Sequence, residues 1–360
     1  MAEKVVMAMS GGVDSSVGAY LLKKQGYDVI GVTMQIWQDE KRCDIEDKGG
    51  CCGLSAVEDA RKVCADLDIP FYVFNFKQIF KDKVINYFID EYYLGRTPNP
   101  CIACNKHVKW EALLARALFM EAQYIATGHY AKITELKNGR YALQMDFNNP
   151  KDQTYALYGL TQFQLKHTLM PLSGIEKDEV RSIAKEIGLK VFNKPDSQEI
   201  CFISDNNYGG FIEEEGGKKI LPGNFVNTDG DIIGKHKGIV HYTVGQRKGL
   251  GIAFGKPMFV KEINPLTNEV VLSENKELFS EGLMASDINY MAVESVKEPM
   301  EAYAKIRYSH KPVLSEITAQ GENILCKFKE SQRAVTPGQA AVFYDKDGNI
   351  LCGGVIERAV

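Results

Sequence analysis

The sequence predicts an α/β protein in three parts. They are an N-terminal parallel sheet with helices on both faces (residues 1–205), a small mainly-β middle domain (206–280) and a C-terminal β-barrel (283–360). Three observations carry this. Strand-like and helix-like runs alternate from residue 4 to about 204, as in βαβ units. Beyond 205 glycine and proline rise and helical periodicity fades. From about 283 short alternating runs end in a closing strand, as a small barrel requires.

In chain order, Lys4–Met9 is a short apolar strand and Ser16–Gln25 a helix closed by Gly26. Val29–Met34 is the next strand, and the helix Ser55–Leu67 stops at Ile69-Pro70. Phe71–Phe76 is a strand, followed by a long amphipathic helix from about Lys77 to Tyr93. Trp110–Ala122 is a helix, Tyr124–Thr127 a buried strand, and Asn138-Gly139 the turn of an inserted hairpin. Glu176–Ile187 is a helix with Gly188 at its C-cap position. Turn signals at Thr228-Asp229-Gly230 and Asn264-Pro265 mark the middle domain. Ala302–Tyr308, Ser315–Ala319, Ala340–Tyr344 and Leu351–Ile356 are strands of the barrel, with Pro337-Gly338 between two of them.

The 360 residues are 45% hydrophobic and 25% charged, a composition that supplies a sizeable core. A formal net charge of −4 means that any nucleic-acid surface is a local basic patch. Met1 to Ser10 has no secretory character and no apolar run approaches about 18 residues, so a cytoplasmic location and no membrane are expected. Nine cysteines in a reducing compartment point to catalytic, metal or core roles rather than stable disulfides. Cys64, Cys326 and Cys352 lie singly among apolar residues and read as core.

Ser10-Gly11-Gly12-Val13-Asp14-Ser15-Ser16 joins the first strand to the first helix. Two glycines admit a ligand close to the backbone, and a helix N-terminus offers N–H groups to an anion. Asp14 can help hold a metal that bridges phosphates. The loop has no lysine, which excludes the G-x-x-x-x-G-K-[ST] phosphate loop. The plainer alternative is a glycine-rich turn capped by serine. A second cluster, Thr97-Pro98-Asn99-Pro100-Cys101-Ile102-Ala103-Cys104-Asn105, opens the turn before a helix. There the dipole and Lys106 favour a thiolate. By itself Cys101-x-x-Cys104 fits redox, zinc or cluster chemistry, and Cys43, Cys51 and Cys52 could add ligands. The third element is Asp196-Ser197-Gln198-Glu199-Ile200-Cys201-Phe202.

The loop at 10–15 resembles the S-G-G-x-D-S loop of the PP-loop ATP pyrophosphatase superfamily, with its adenine-nucleotide hydrolase-like sheet. The full ordered set resembles one branch of it, the tRNA-specific 2-thiouridylases. That set is G-R-T-P-N-P at 95–100, C-N-K at 104–106, A-T-G-H-Y at 126–130, K-D-Q at 151–153 and I-C-F-I at 200–203. It continues with G-Q-R-K-G-L-G at 245–251, K-I-R-Y at 305–308 and T-P-G-Q at 336–339, so the likeness runs essentially end to end.

The resemblance implies an ATP-dependent sulfurtransferase that adenylates C2–O of a wobble uridine in the tRNA anticodon and then thiolates it. ATP with Mg2+ is expected at Ala8, Met9, Ser10, Gly11, Gly12, Val13, Asp14, Ser15, Met34 and Gly128. Cys201 matches the cysteine that bears a persulfide, and Cys104 the nucleophile that can form a transient disulfide with it. Asn99, Pro100 and Cys101 match the pocket for the target base. Lys151, Asp152, Gln153, Arg307 and Tyr308 match tRNA-contacting positions. Lys235, Lys237, Arg247, Lys248, Lys305 and Lys311 are further candidates for the RNA backbone. A partner that donates sulfur, such as a cysteine desulfurase or a relay protein, is expected. Many members carry Asp where this chain has Cys101, which leaves the acid/base group open and makes Cys101 an auxiliary thiol or a cluster ligand. In the latter case Cys101, Cys104 and Cys201 would hold a [4Fe–4S] cluster. A persulfide carrier or tRNA-binding module with a relic ATP site is the non-enzymatic alternative.

Overall fold

The computed structural model describes residues 2–37, 54–193, 200–203, 207–252 and 255–360. Cys43, Cys51, Cys52 and 196–199 lie outside them. The chain divides into two compact units. One is Met1–Val84 with Cys101–Ser204, and the other is Ile85–Pro100 with Asp205–Val360. The segment 85–100, which the sequence places inside the α/β part, thus belongs to the β-rich unit.

In the first unit, β1 (Lys4–Ala8), β2 (Asp28–Gln35), β3 (Phe71–Asn75) and β4 (Tyr124–Ala126) are all parallel. A hairpin of β5 (Lys132–Glu135) and β6 (Tyr141–Gln144) follows, and a two-residue strand β7 (Thr168–Leu169) completes the sheet in the order β3-β2-β1-β4-β7. β1 is almost wholly buried because helices cover both faces of a parallel sheet. Helix α1 (Val13–Lys24) lays Val17 and Leu22 on Val5 and Met7, and α2 (Leu54–Asp66) adds Ala60 and Cys64 to this core. Helix Lys177–Glu186 contributes Val180 and Ala184.

Residues 100–119 are helical throughout: Pro100–Ala103, a π-wound stretch Cys104–Leu113, then Leu114–Phe119. This differs from the sequence expectation, which begins the helix at Trp110 and leaves the cysteines in a turn. Pro100 stands at the first helical position, where its missing N–H and fixed φ suit a helix start. Wide i→i+5 turns are rare and concentrate at functional sites.

In the second unit, β8 (Gly223–Val226), β9 (Ile232–His236), β10 (Phe259–Asn264) and β11 (Glu269–Ser273) form a sheet in the order β10-β11-β8-β9. The six strands β12 (Phe279–Tyr290), β13 (Met300–Lys305), β14 (Val313–Gln320), β15 (Asn323–Arg333), β16 (Ala340–Tyr344) and β17 (Ile350–Ala359) close as a barrel, β12-β15-β14-β13-β16-β17. Closure leaves no unpaired edge. Helix Asn86–Tyr93 belongs to this unit: Phe88, fully buried, packs its ring against Tyr208 and Phe211 of helix Tyr208–Glu215. Among the described residues no helix is long and apolar enough to cross a membrane.

Candidate nucleotide and sulfur-transfer site

In the order β3-β2-β1-β4-β7 the chain runs outward from β1 on one side and from β4 on the other. The crevice beyond the carboxyl ends of β1 and β4 is therefore the switch point where open α/β sheets bind ligands. Two loops leave from there. The loop after β1 is folded by its own serines. Ser10 Oγ and Ser15 Oγ lie 3.2 Å apart, and the Ser15 and Ser16 hydroxyls donate to Gly12 O at 3.1 and 2.8 Å. Gly11 takes φ +70. Gly12 is the N-cap of α1 and no side chain caps the helix, so its first-turn N–H groups remain available to an anion.

The loop after β4 closes on this turn. A Cβ on Gly128 would stand 2.8 Å from Ser15 N and 3.0 Å from the Asp14 carbonyl carbon. Only glycine lets the two loops touch. Tyr130 donates its hydroxyl to Asp14 Oδ1 at 2.6 Å, and Lys177 reaches both Asp14 oxygens at 2.8 Å. Lys177 is the first residue of its helix and retains only 12% side-chain exposure. Sequence reading missed it, because a lysine opening a surface helix carries no signal of its own; only the fold brings residue 177 to residue 14. Next to this group, His129 pairs with Thr127 Oγ1 at 2.6 Å through Nδ1 and with Lys109 Nζ at 3.4 Å through Nε2. Lysine can only donate, so Nδ1 carries the imidazole hydrogen. Burial, and secondarily Lys109, hold the His129 pKa well below 6.5.

Met34 lies near the end of β2, half-buried and paired in register with Phe74. Its neighbour Thr33 donates to Met9 O at 2.9 Å, tying the ends of the two strands together. Ala8 and Met9 are buried beneath the loop.

Cys101 is exposed and Cys104 half-buried on the helical stretch, while the Asn105 amide donates to Ala156 O at 2.9 Å and anchors it. Trp110 Nε1 adds a bond to Thr168 Oγ1 at 2.8 Å. Cys101, in the first turn, stands closer to the helix N-terminus than Cys104, so the dipole argument made for the pair applies mainly to Cys101. Cys201 is exposed, and Phe202 beside it is buried edge-on against Phe80 at 5.7 Å. Cys64, Cys326 and Cys352 are core, as expected, and burial pushes each thiol up to about 12. Among the described residues no three His, Cys, Asp or Glu side chains converge to hold a metal ion. Cys101, Cys104 and Cys201 do not form a ready cluster site.

The expected RNA-contacting residues divide. Lys151 is exposed. Asp152 is 8% exposed and accepts from Thr154 N, Thr154 Oγ1 and Asp146 N, so its carboxylate shapes its own loop. Gln153 exchanges bonds with the Tyr130 backbone, accepting at Oε1 (3.0 Å) and donating its N–H (2.9 Å), which braces the Asp14 partner. In the second unit Tyr308 is 44% exposed, in a turn after β13 rather than in the strand read from sequence. Arg307 is half-buried and donates to Arg333 O at 3.2 Å. Lys305, offered above as a backbone grip, is 7% exposed. Lys235, Lys237, Arg247, Lys248 and Lys311 are exposed.

Fold and loop together define an α/β protein of the PP-loop, ATP-using class with two appended β modules. Residues 3–205 match the family model described as tRNA methyl transferase HUP domain. Residues 209–274 match tRNA methyl transferase PRC-barrel domain, and 280–356 match Aminomethyltransferase beta-barrel domain. The chain is 62% identical over 353 residues to the tRNA-specific 2-thiouridylase MnmA of Lachnoclostridium phytofermentans, covering 98% of each chain. It is 57% identical over 362 residues to that of Clostridioides difficile, covering 100% of this chain and 99% of the other. A solved 4-thiouridine synthetase–RNA complex with bound ATP is 20% identical at a TM-score of 0.34, over 56% of this chain and 45% of that one, too slight a likeness to carry an argument. The chain belongs to the tRNA-specific 2-thiouridylase family.

Proposed function

We propose that the chain catalyses ATP-dependent 2-thiolation of the wobble uridine of tRNA, in the cytoplasm, with sulfur supplied by a partner protein as a persulfide on Cys201. What chiefly supports this is the closed pair of loops at the β1/β4 switch point: backbone donors for phosphates, one carboxylate and one lysine in a single cluster.

The uridine O2 attacks the α-phosphorus of ATP and pyrophosphate leaves, which makes AMP the leaving group at C2. The α1 N-terminus and the loop serines hold pyrophosphate, and Lys177, released from Asp14, follows the phosphate charge. Asp14 would then help hold the Mg2+ that accompanies ATP, which would supply charge to the phosphates. The terminal persulfide sulfur attacks C2 and AMP departs. The Cys104 thiolate attacks the Cys201 sulfur, the S–S bond breaks, and its electrons remain on the base as the thiocarbonyl. A Cys104–Cys201 disulfide is left for an external dithiol to reduce. The base leaves the anticodon stack to reach these groups, past Asn99, Pro100 and Cys101. Lys151, Tyr308 and the exposed lysines and arginines of the β unit contact RNA, with Arg307 beside them. A [4Fe–4S] route would draw on Cys101, Cys104 and Cys201, which are not grouped as metal ligands among the described residues, and no step is routed through one.

The test is pyrophosphate release and mass spectrometry of tRNA incubated with the protein, ATP and a persulfide donor. Asp14→Ala should release no pyrophosphate, and Cys201→Ser should release pyrophosphate yet leave uridine unthiolated. Thiolation by folded Asp14→Ala at the normal rate would refute the assignment.

A further inference from the structure

The chain leaves the α/β unit after Val84, passes through the β-rich unit as residues 85–100, and re-enters at Cys101. The last stretch of this excursion is gripped at several points by the barrel. Thr97 N donates to Pro337 O at 2.8 Å, and Gln339 Nε2 donates to Thr97 O at 2.7 Å. Gly338, at φ +88, lies so close that a Cβ would stand 2.8 Å from Thr97 N and 3.0 Å from Arg96 Cβ. This accounts for the T-P-G-Q turn at 336–339, whose residues the sulfur chemistry does not use.

Beside Thr97 is a charged clasp. The Arg96 guanidinium makes a two-pronged bond to Glu357 of β17, Nη1 to Oε2 at 3.0 Å and Nη2 to Oε1 at 3.3 Å. Its Nε is in ion-pair contact with Glu91 at 2.8 Å, and Ser286 of β12 donates to Glu357 Oε1 at 2.5 Å. The side chains of Glu91 and Arg96 are only 15% and 21% exposed. Paired geometry of this kind fixes direction as well as distance, and a lysine cannot reproduce it.

We propose that Arg96 is a positioning residue for sulfur transfer. Held by Glu357 and Glu91, it fixes the strap Gly95–Pro100, and the strap's next residue begins the thiol pair Cys101 and Cys104. The inference rests on the reading that Cys104 takes part in the sulfur step.

The experiment compares the full-length wild type with Arg96→Lys, Glu357→Gln, the double variant, and the milder Gln339→Ala. ATP affinity, tRNA affinity and the maximal thiolation rate are measured for each. Arg96→Lys keeps the charge and loses the fork. It should lower the maximal rate about 10- to 100-fold, the loss typical of a small misplacement. Both affinities should stay within about twofold. The double variant should be no worse than the poorer single one, because both changes remove the same pair. Gln339→Ala should lower the rate less, in the same direction. Unchanged turnover in Arg96→Lys, parallel loss of rate and both affinities, or additive losses in the double variant would each overturn the proposal. A Cys104→Ser variant with normal thiolation would instead overturn the sulfur-step reading on which it rests.

Discussion

Replacing Gly128 by alanine adds one methyl group at the contact between the loop after β4 and the first turn of α1. The new carbon would stand 2.8 Å from Ser15 N, 3.0 Å from Asp14 C and 3.1 Å from Asp14 Cβ, where ordinary contact begins at 3.4 Å. Two of these are backbone atoms, so no flexible side chain can yield and the loops must part by about half an ångström or more. Gly128 does not have a positive φ, so the substitution acts by contact alone. Overpacking of this kind costs about 1–3 kcal/mol. Placed on ATP binding, that weakens affinity roughly 5- to 150-fold, since about 1.4 kcal/mol is a factor of ten. Misplacing the α-phosphate adds a loss in turnover on the order of 100-fold. The assay is ATP affinity by calorimetry together with pyrophosphate release in the presence of tRNA. Gly139→Ala is the control, because Gly139 has φ +77 and nothing within 4 Å of its Cβ position. It should lose a little stability from backbone strain and keep ATP affinity. Wild-type affinity and release in folded Gly128→Ala would mean that ATP does not bind against these loops.

Lys177→Met should weaken ATP binding and slow pyrophosphate release at least tenfold, read by the same two assays, while tRNA affinity in a direct binding titration stays unchanged. Cys101→Ser and Cys101→Asp should both retain substantial thiolation with a persulfide donor, measured by mass spectrometry; complete loss in both would make Cys101 indispensable to the reaction. Because the folded His129 pKa lies well below 6.5, the unfolded chain binds the extra proton. Stability should therefore fall as pH drops through 6.5 toward the folded value, and His129→Gln should flatten that slope in thermal melts. Binding of tRNA should weaken steeply with salt, and each of Lys235, Lys237, Arg247 and Lys248 that contacts phosphate should reduce the log–log slope by about one when replaced by glutamine.

The sheet was legible because its signals are local. Apolar runs such as Val5–Ala8 and Val29–Val32 with a glycine-serine turn between strand and helix need no partner to be read. The two-residue strand Thr168–Leu169 was not legible, since two residues have no periodicity; its neighbour β4 makes it a strand. The helix start at Pro100 went unread because prolines at 98 and 100 look like a stiff turn, and only tertiary anchors such as Asn105 on Ala156 hold the wide-wound turns that follow. At the site, Ser10–Ser15, Gly128, Cys104 and Cys201 could be named from sequence because each lies in a contiguous motif. Lys177 was not, because its 163-residue separation from Asp14 is bridged only by the packing of its helix on α1. Asp152 and Gln153 show the converse. Their motif was visible, but the bonds of their side chains within the Asp146–Thr154 loop and to the Tyr130 backbone are ones that no spacing rule reveals.

The division of the chain explains why several motifs without reactive groups accompany the reactive ones. On the proposed mechanism a sulfur atom passes between two thiols and a base that arrives on a large flexible RNA, and a misplacement of about 1 Å costs on the order of 100-fold. Phosphate contacts alone fix an RNA to a surface without fixing the surface to the thiols. Here the β-rich unit itself contains residues 85–100, whose helix is buried on Tyr208 and Phe211 and whose strap is bonded to Pro337, Gln339 and Glu357. Pro100, the last residue of that segment, is joined directly to Cys101, the first residue of the thiol pair. On this reading G-R-T-P-N-P and T-P-G-Q are two halves of one joint within the β-rich unit, closed by the bonds of Thr97 to Pro337 and Gln339.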